Sequence, residues 1–291
     1  MKIGRTYIHE HIKLDLSGPK KDPDTNYDDT QGVIEELKEL KKQGIDCIVD
    51  VTNRGMGRDA CILSNVAKQT GLTIIASTGF YKEPFLPPYF YESSDAELFD
   101  MLVADVEKGM DGTGLKASVL GEVGSSHNAI KASEQRLFNL VADVHLYTGR
   151  PIFTHTTLGT MALDQIKILE KKGVDLTAVL IGHMDLNPDL DYHLRVAGKG
   201  CYLGFDTIGK TDYQPDASRV CLIKELVARG HENQIVLSLD LTRKSHLKKH
   251  GGIGYSYLVD TFLPLLEEAE LKEETINKFL VDNPRKLLSI P

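Results

Sequence analysis

The stretch TYIHEHIKLD, residues 6–15, sets two histidines one residue apart near the start of a chain of 291 residues. Its alternation predicts a β-strand with Tyr7, His9 and His11 on one face and Ile8, Glu10 and Ile12 on the other. A half-buried strand normally turns apolar groups inward. Two imidazoles on one face therefore mean that the face is wet or that something binds both rings. The pair alone does not decide between these, but the rest of the chain does.

Short β-branched runs alternate with longer helical stretches along the whole length. DCIVDVT at 46–52 follows TQGVIEELKELKKQG, in which Val33, Ile34, Leu37 and Leu40 recur at helical spacing and Gly44 suits a C-cap. LTIIAST at 72–78, ASVLGEVG at 117–124, RPIFTHT at 150–156, AVLIGHM at 178–184, CYLGFDT at 201–207 and QIVLSLD at 234–240 repeat the pattern, and NPRKLLS at 283–289 starts a last short helix. Counting the opening strand, eight strand–helix alternations predict an α/β fold: one (β/α)8 TIM barrel forming a single domain over 1–291. A doubly wound open sheet is the competing topology, but no glycine-rich phosphate turn follows the first strand.

A hydrophobic content of 41% with 26% charged residues suits a soluble globular protein. No run approaches the roughly 18–20 apolar residues of a membrane span, and no apolar signal segment follows Lys2 and Arg5. Cys47, Cys61, Cys201 and Cys221 show no CxxC spacing, which points to reduced thiols in a cytoplasmic protein. A net charge of -8 disfavours a general nucleic-acid surface. The expected partner is a small, anionic substrate molecule, with no nucleic acid and no membrane.

His9, His11, Glu122, His155, His183 and Asp240 stand at or near the C-terminal ends of five predicted strands. In a (β/α)8 barrel those ends converge on one mouth, where active sites form. Taken singly, each has a bland explanation: a lone buried histidine is usually a hydrogen-bonded core residue, and Asp240 would serve as an N-cap. Together, four imidazoles and two carboxylates make a poor apolar core. They make a good site for two borderline divalent ions such as zinc.

This set resembles that of the amidohydrolase superfamily. Within it, IHEHIKLDLSG, STGFY, GEVGSS, PIFTHT, IGHMDL and FDTIGK resemble the phosphotriesterase-related branch, most of all the bacterial phosphotriesterase homology proteins. The resemblance implies a binuclear metal centre, most simply two zinc ions per chain. His9, His11 and Asp240 would hold the more buried ion, His155 and His183 the more exposed one. Glu122 would bridge them, where many relatives use a carboxylated lysine. A water shared by two dications becomes a hydroxide near neutral pH, and Asp240 is placed to take its proton. The implied enzyme is a metal-dependent hydrolase that cleaves an ester, lactone, amide or phosphoester. Relatives are often dimers, so a homodimer is an open expectation.

Strand-following loops set specificity. The basic stretch LTRKSHLKKHGG follows strand eight and TIGK follows strand seven. Barrel enzymes often bind phosphate with these two loops, and arginine grips it bidentately. Lys210 and Arg243, with Lys244 and His246, are therefore the expected receivers of a remote phosphate, and Lys248 and Lys249 the outer face of a following helix. Some relatives hydrolyse phosphorylated sugar lactones, which makes such a lactone the expected substrate. Tyr81, after strand three, matches a tyrosine that related lactonases set near the lactone ring; its bland reading is a rim residue in an aromatic loop. His127, His145, His193, His231 and His250 read as surface or structural. The rival reading is a TatD-type metal-dependent deoxyribonuclease, whose ligand set is nearly the same. The acidic net charge and a lone basic loop weigh against it.

Overall fold

The computed structural model describes residues 3–289. Eight parallel strands pair in chain order: β1 (Arg5–Glu10), β2 (Ile45–Asp50), β3 (Thr73–Thr78), β4 (Ala117–Ser125), β5 (Ile152–Thr156), β6 (Val179–Gly182), β7 (Tyr202–Phe205) and β8 (Ile235–Leu237). Helices alternate with them, so the expected (β/α)8 barrel is the fold observed. No helix among the described residues is long and apolar enough to cross a membrane.

The helical periodicity read between β1 and β2 becomes α1 (Thr30–Lys42), which buries Val33, Ile34, Leu37 and Leu40. Asp29 caps its start, accepting from the Gly32 N–H at 3.1 Å. The apolar residues sort into two layers. Ile8, Val49, Ile75, Val119, Phe153, Leu180, Tyr202 and Val236, one from each strand, fill the barrel's inside together with Leu287 and Leu288 of the last turns. A larger cluster lies between the strands and the surrounding helices.

Two expectations are corrected. The first strand was expected to keep Tyr7 and His9 on one face, but Tyr7 joins the outer cluster while His9 faces the barrel mouth. A register irregularity between Tyr7 and Glu10 breaks the alternation there. The basic stretch after β8 was expected to run into a helix. It forms only two short 3-10 turns, Lys244–His246 and Lys248–His250.

Among the described residues the strand order carries no ladder between β1 and β8. Glu10 closes that seam. Its buried carboxylate accepts from Ser238 Oγ and Leu239 N, each at 2.8 Å, and from Leu241 N at 3.1 Å. The His9 N–H in turn donates to Ser238 Oγ at 3.1 Å. A side chain thus stands in for missing backbone bonds and fixes the histidine pair against the strand that leads to Asp240.

A second clamp ties the rims after β2 and β3 to the helix α2 (Asp95–Glu107). Buried Asp105 accepts from Arg54 at 2.7 and 2.8 Å, from Arg58 at 2.9 Å and from Thr78 at 2.5 Å. Burial raises the pKa of its carboxyl, but the two guanidiniums outweigh this and hold it below the ordinary value. A depressed folded-state pKa contributes stability above the unfolded value, roughly 3.9, and loses it as pH falls through the folded one. Asp105→Asn should therefore destabilise the protein by about 3 kcal/mol at neutral pH in urea denaturation, with the gap to wild type closing below about pH 4. A gap independent of pH would contradict the clamp's ionic character.

Candidate active site

All six expected ligands meet at the C-terminal mouth of the barrel. His9, His11, Glu122, His183 and Asp240 are buried. Glu122 lies at their centre: His155 Nδ1 is 3.1 Å from it, His11 Nε2 3.5 Å, His9 Nε2 3.6 Å and His183 Nε2 3.7 Å. Asp240 Oδ1 is 3.2 Å from His11 Nε2 and 3.8 Å from His9 Nε2. His183 Nε2 and His155 Nδ1 are 2.8 Å apart.

The backbone explains this convergence. His183 and Asp240 both adopt left-handed conformations, with φ of 57° and 53°. Such values are uncommon outside glycine and concentrate at functional sites. Gly121, just before Glu122, has φ of 137°, and a Cβ there would lie 2.1 Å from the Phe153 carbonyl oxygen. Only glycine lets β4 run this close to β5, and that closeness delivers Glu122 beside His155.

A residue overlooked in the sequence orients the histidines. Asp206 follows β7 and is fully buried. Its Oδ2 is 2.9 Å from His9 Nδ1, and its Oδ1 is 2.9 Å from His183 Nδ1 and 2.7 Å from the His183 N–H. Thr52 does the same for His11, with Oγ1 2.8 Å from Nδ1. With each Nδ1 set beside an oxygen, each Nε2 is left to face the mouth. The signal was available: Asp206 ends a predicted strand, as every chosen ligand did.

The charges show what the cluster can hold. Burial raises the Glu122 carboxyl, but the imidazoles of His11, His155 and His183 set around it hold it well below its ordinary value. Burial likewise opposes ionisation of Asp240, and the Lys210 ammonium together with His11 overcomes it. Burial lowers His11, yet Asp240 and Glu122 bring it up to about 10. His183 is raised well above its usual value, Asp206 overcoming its burial. Burial and the neighbouring His183 charge lower His155 to about 4. Protons on imidazoles therefore balance the buried carboxylates in the metal-free protein.

Among the described residues two groupings, which share His9, lie close enough to hold an ion: His9, His11 and Asp240; and His9, Glu122 and His183. His9 Nε2 and His11 Nε2 are buried with no hydrogen-bond partner. Leaving such nitrogens unpaired costs free energy, and nitrogen with carboxylate oxygen is the donor set that zinc and its neighbours accept. The residues fit a metal.

A cavity of about 310 Å³ opens onto this cluster, lined by His11, Glu122, His155, His183 and Asp240 together with Tyr81 and Lys210. Tyr81 Oη is 3.2 and 3.3 Å from the two His155 ring nitrogens, and burial raises its pKa well above 10, keeping the phenol protonated. Lys210 pairs with Asp240 Oδ2. Arg243, Lys244 and His246 are not among the lining residues. Arg243 pairs with Asp22, Lys244 with Asp28 at 2.7 Å, and His246 Nδ1 accepts from the Thr242 N–H at 3.1 Å. Lys20 and Lys82, not considered from the sequence, do line it.

A buried cluster of imidazoles and carboxylates at the mouth of such a barrel is the site of a hydrolase. Residues 1–288 match the phosphotriesterase family. The chain belongs to that family, and with it to the hydrolases that act on ester bonds. It is similar to the phosphotriesterase homology protein of Escherichia coli strain K12, 41% identical over 281 residues that cover 97% of this chain and 96% of that one. The crystal structure of the Escherichia coli protein complexed with phosphate in its active site superposes with a TM-score of 0.97 at 40% identity, covering 99% of each chain. A lactonase from Listeria monocytogenes gives a TM-score of 0.95 at 32% identity, over 100% of this chain and 96% of that one. A phospho-furanose lactonase of Mycoplasmopsis synoviae is 32% identical over 99% of this chain and 88% of its own. These matches do not favour the nuclease alternative.

Two outcomes follow from the geometry. Metal uptake at neutral pH should release protons from His11 and His183, so the apparent binding enthalpy should vary with the ionisation enthalpy of the buffer; a buffer-independent enthalpy would contradict the proton balance. Asp206→Asn should weaken metal affinity about 10- to 100-fold while circular dichroism stays native. Unchanged affinity would remove Asp206's orienting role.

Proposed function

We propose that this protein is a metal-dependent hydrolase of a lactone or ester, with a phosphorylated sugar lactone as its substrate class. The observation that carries the metal is the pair of buried, unpartnered Nε2 atoms of His9 and His11 facing Glu122 and Asp240. In this reading His9, His11 and Asp240 hold one divalent ion, His155 and His183 hold the other, and Glu122 lies between them. Zinc suits the donor set. The chemistry that bound ions supply there is the acidification of a water and the polarisation of the substrate's acyl oxygen.

The chain's own groups do the rest. Asp240, ionised beside Lys210, accepts the proton from the attacking water and passes it to the leaving oxygen. Tyr81, protonated and against His155, donates a hydrogen bond at the wall where the acyl group sits. Phe85, packed against the Tyr81 ring, and Leu158 and Leu186 give the cavity an apolar lining that excludes water. The phospho-furanose lactonase and the phosphate complex among the relatives support an anionic substrate, as does the lysine-lined cavity.

The test is a panel of sugar lactones with and without a terminal phosphate. The phosphorylated members should show kcat/KM at least about 10-fold higher, the value of one charge-assisted contact. Equal values would remove the anionic substrate. Asp240→Asn should lower kcat by at least about 100-fold on the best lactone, and near-normal turnover would remove the proton-transfer role.

A further inference from the structure

Strand β2 brings none of the six candidate ligands to the mouth, yet Asp50, Thr52 and Asn53, at and just past its end, are all buried. Each reaches the cluster or the backbone that carries it. Asn53 Nδ2 donates to the Glu122 carbonyl oxygen at 2.6 Å. Thr52 Oγ1 lies 2.8 Å from His11 Nδ1. Asp50 Oδ2 accepts from the Ile12 N–H at 2.7 Å, and its Oδ1 accepts from the Thr52 N–H at 3.1 Å. The Thr52 hydroxyl is hydrogen-bonded to the same carboxylate.

His11 needs this support because it lies one residue past the end of β1, where the ladder to β2 has stopped at the Glu10–Asp50 pair. Side chains replace the lost ladder. Tyr255 Oη donates to the His11 carbonyl at 2.7 Å, while Asp50 takes the N–H of the same peptide. Two N–H groups do not require a carboxylate, since a neutral acceptor would satisfy them with less desolvation. Burial pushes the Asp50 carboxyl up to about 6, so its charge is held at a cost. What the carboxylate adds is an acceptor with no hydrogen at either oxygen. The single hydroxyl hydrogen of Thr52 is drawn to it, and the lone pairs of Oγ1 turn to His11. Only an N–H can face them. Nδ1 therefore keeps its hydrogen, and the lone pair of the neutral ring is left on Nε2.

Resting on the metal-dependent reading above, we propose that Asp50 is a positioning residue for His11, acting through the Thr52 hydroxyl to fix which ring nitrogen is offered to the metal. Asp50 touches neither ion nor substrate. It sets the direction of a hydrogen-bond chain that runs from Nδ1–H to Thr52 and from Thr52 O–H to Asp50. Asp206 orients His9 and His183 by direct contact; Asp50 does the same for His11 at one remove.

The test follows cadmium in the full chain, by chelator competition for affinity and by NMR of the metal and of the labelled histidine nitrogens for geometry. In wild type, His11 should bind cadmium through Nε2 and carry a hydrogen on Nδ1. Thr52→Val should weaken cadmium affinity about 10- to 100-fold, and Thr52→Ser, which keeps the hydroxyl, should restore most of it. Asp50→Asn is the decisive variant, because Thr52 stays in place. Its affinity should fall in the same range, and the His11 nitrogen resonances should move while those of His183 stay. The double variant with Asp50→Asn and Thr52→Val should lose no more than the larger single loss, since both act on one chain. Wild-type affinity and His11 resonances in a folded Asp50→Asn, additive losses in the double variant, or cadmium on Nδ1 of wild-type His11 would each overturn the proposal. The last of these needs no variant and so decides even where Asp50→Asn does not fold. Wild type that takes up no cadmium would remove the metal reading and this proposal with it. The expected cadmium results without hydrolysis of any lactone would uphold Asp50's role and remove the lactonase reading instead.

Discussion

Glu122, Asp206 and Asp240 are buried around one set of imidazoles, and the cost of burying that much negative charge is the constraint on which the rest depends. Isolated carboxylates in a protein interior protonate. Here each stays ionised because charged or hydrogen-bonding groups surround it: the imidazoles of His11, His155 and His183 around Glu122, His183 beside Asp206, and Lys210 with His11 beside Asp240. Protons do this balancing in the metal-free protein, and divalent ions do it better, since each brings two charges to the place where the unpartnered Nε2 atoms point. The architecture around the cluster serves to keep these groups from relaxing apart.

Three devices do so. Glu10 seals the seam between first and last strands, so the histidine pair and Asp240 share one rigid edge. Asp206 fixes two imidazoles at once across the barrel. Behind β7, fully buried Arg219 joins Asp185 at 2.6 Å, Asp216 at 2.9 Å and Thr207 at 3.1 Å, holding the loop that bears Lys210. Each places a charged group where a backbone bond or an apolar contact would be the cheaper choice, which marks the C-terminal face as built for chemistry and the N-terminal face, closed by Leu287 and Leu288, as built for stability.

Much of this was legible from residue order. Eight β-branched runs fixed the topology, and polar residues at the ends of five of them located the mouth. What escaped had physical reasons. The face assignment of β1 failed because a register irregularity is invisible to a rule of strict alternation. Asp206 escaped because a carboxylate that touches histidines rather than a ligand has no spacing motif, although its place at a strand end was a usable sign. The basic loop misled because a cluster of cations reads as an anion receptor until its counter-charges are found. Those lay in view at Asp22, Asp24, Asp28 and Asp29, more than two hundred residues away in the chain, and only the closed barrel brings them together. Lys20 lies in a stretch with no periodicity, so nothing in sequence distinguished it from Lys21.

The central claim is that the six converging side chains hold a pair of divalent cations on which hydrolysis depends. Elemental analysis of the purified protein, before and after exhaustive chelation and paired with turnover of an ester or lactone, tests it most directly. The account predicts close to two ions per chain, loss of turnover when they are removed, and recovery when zinc is returned. Full turnover in protein verified to be free of metal would contradict it.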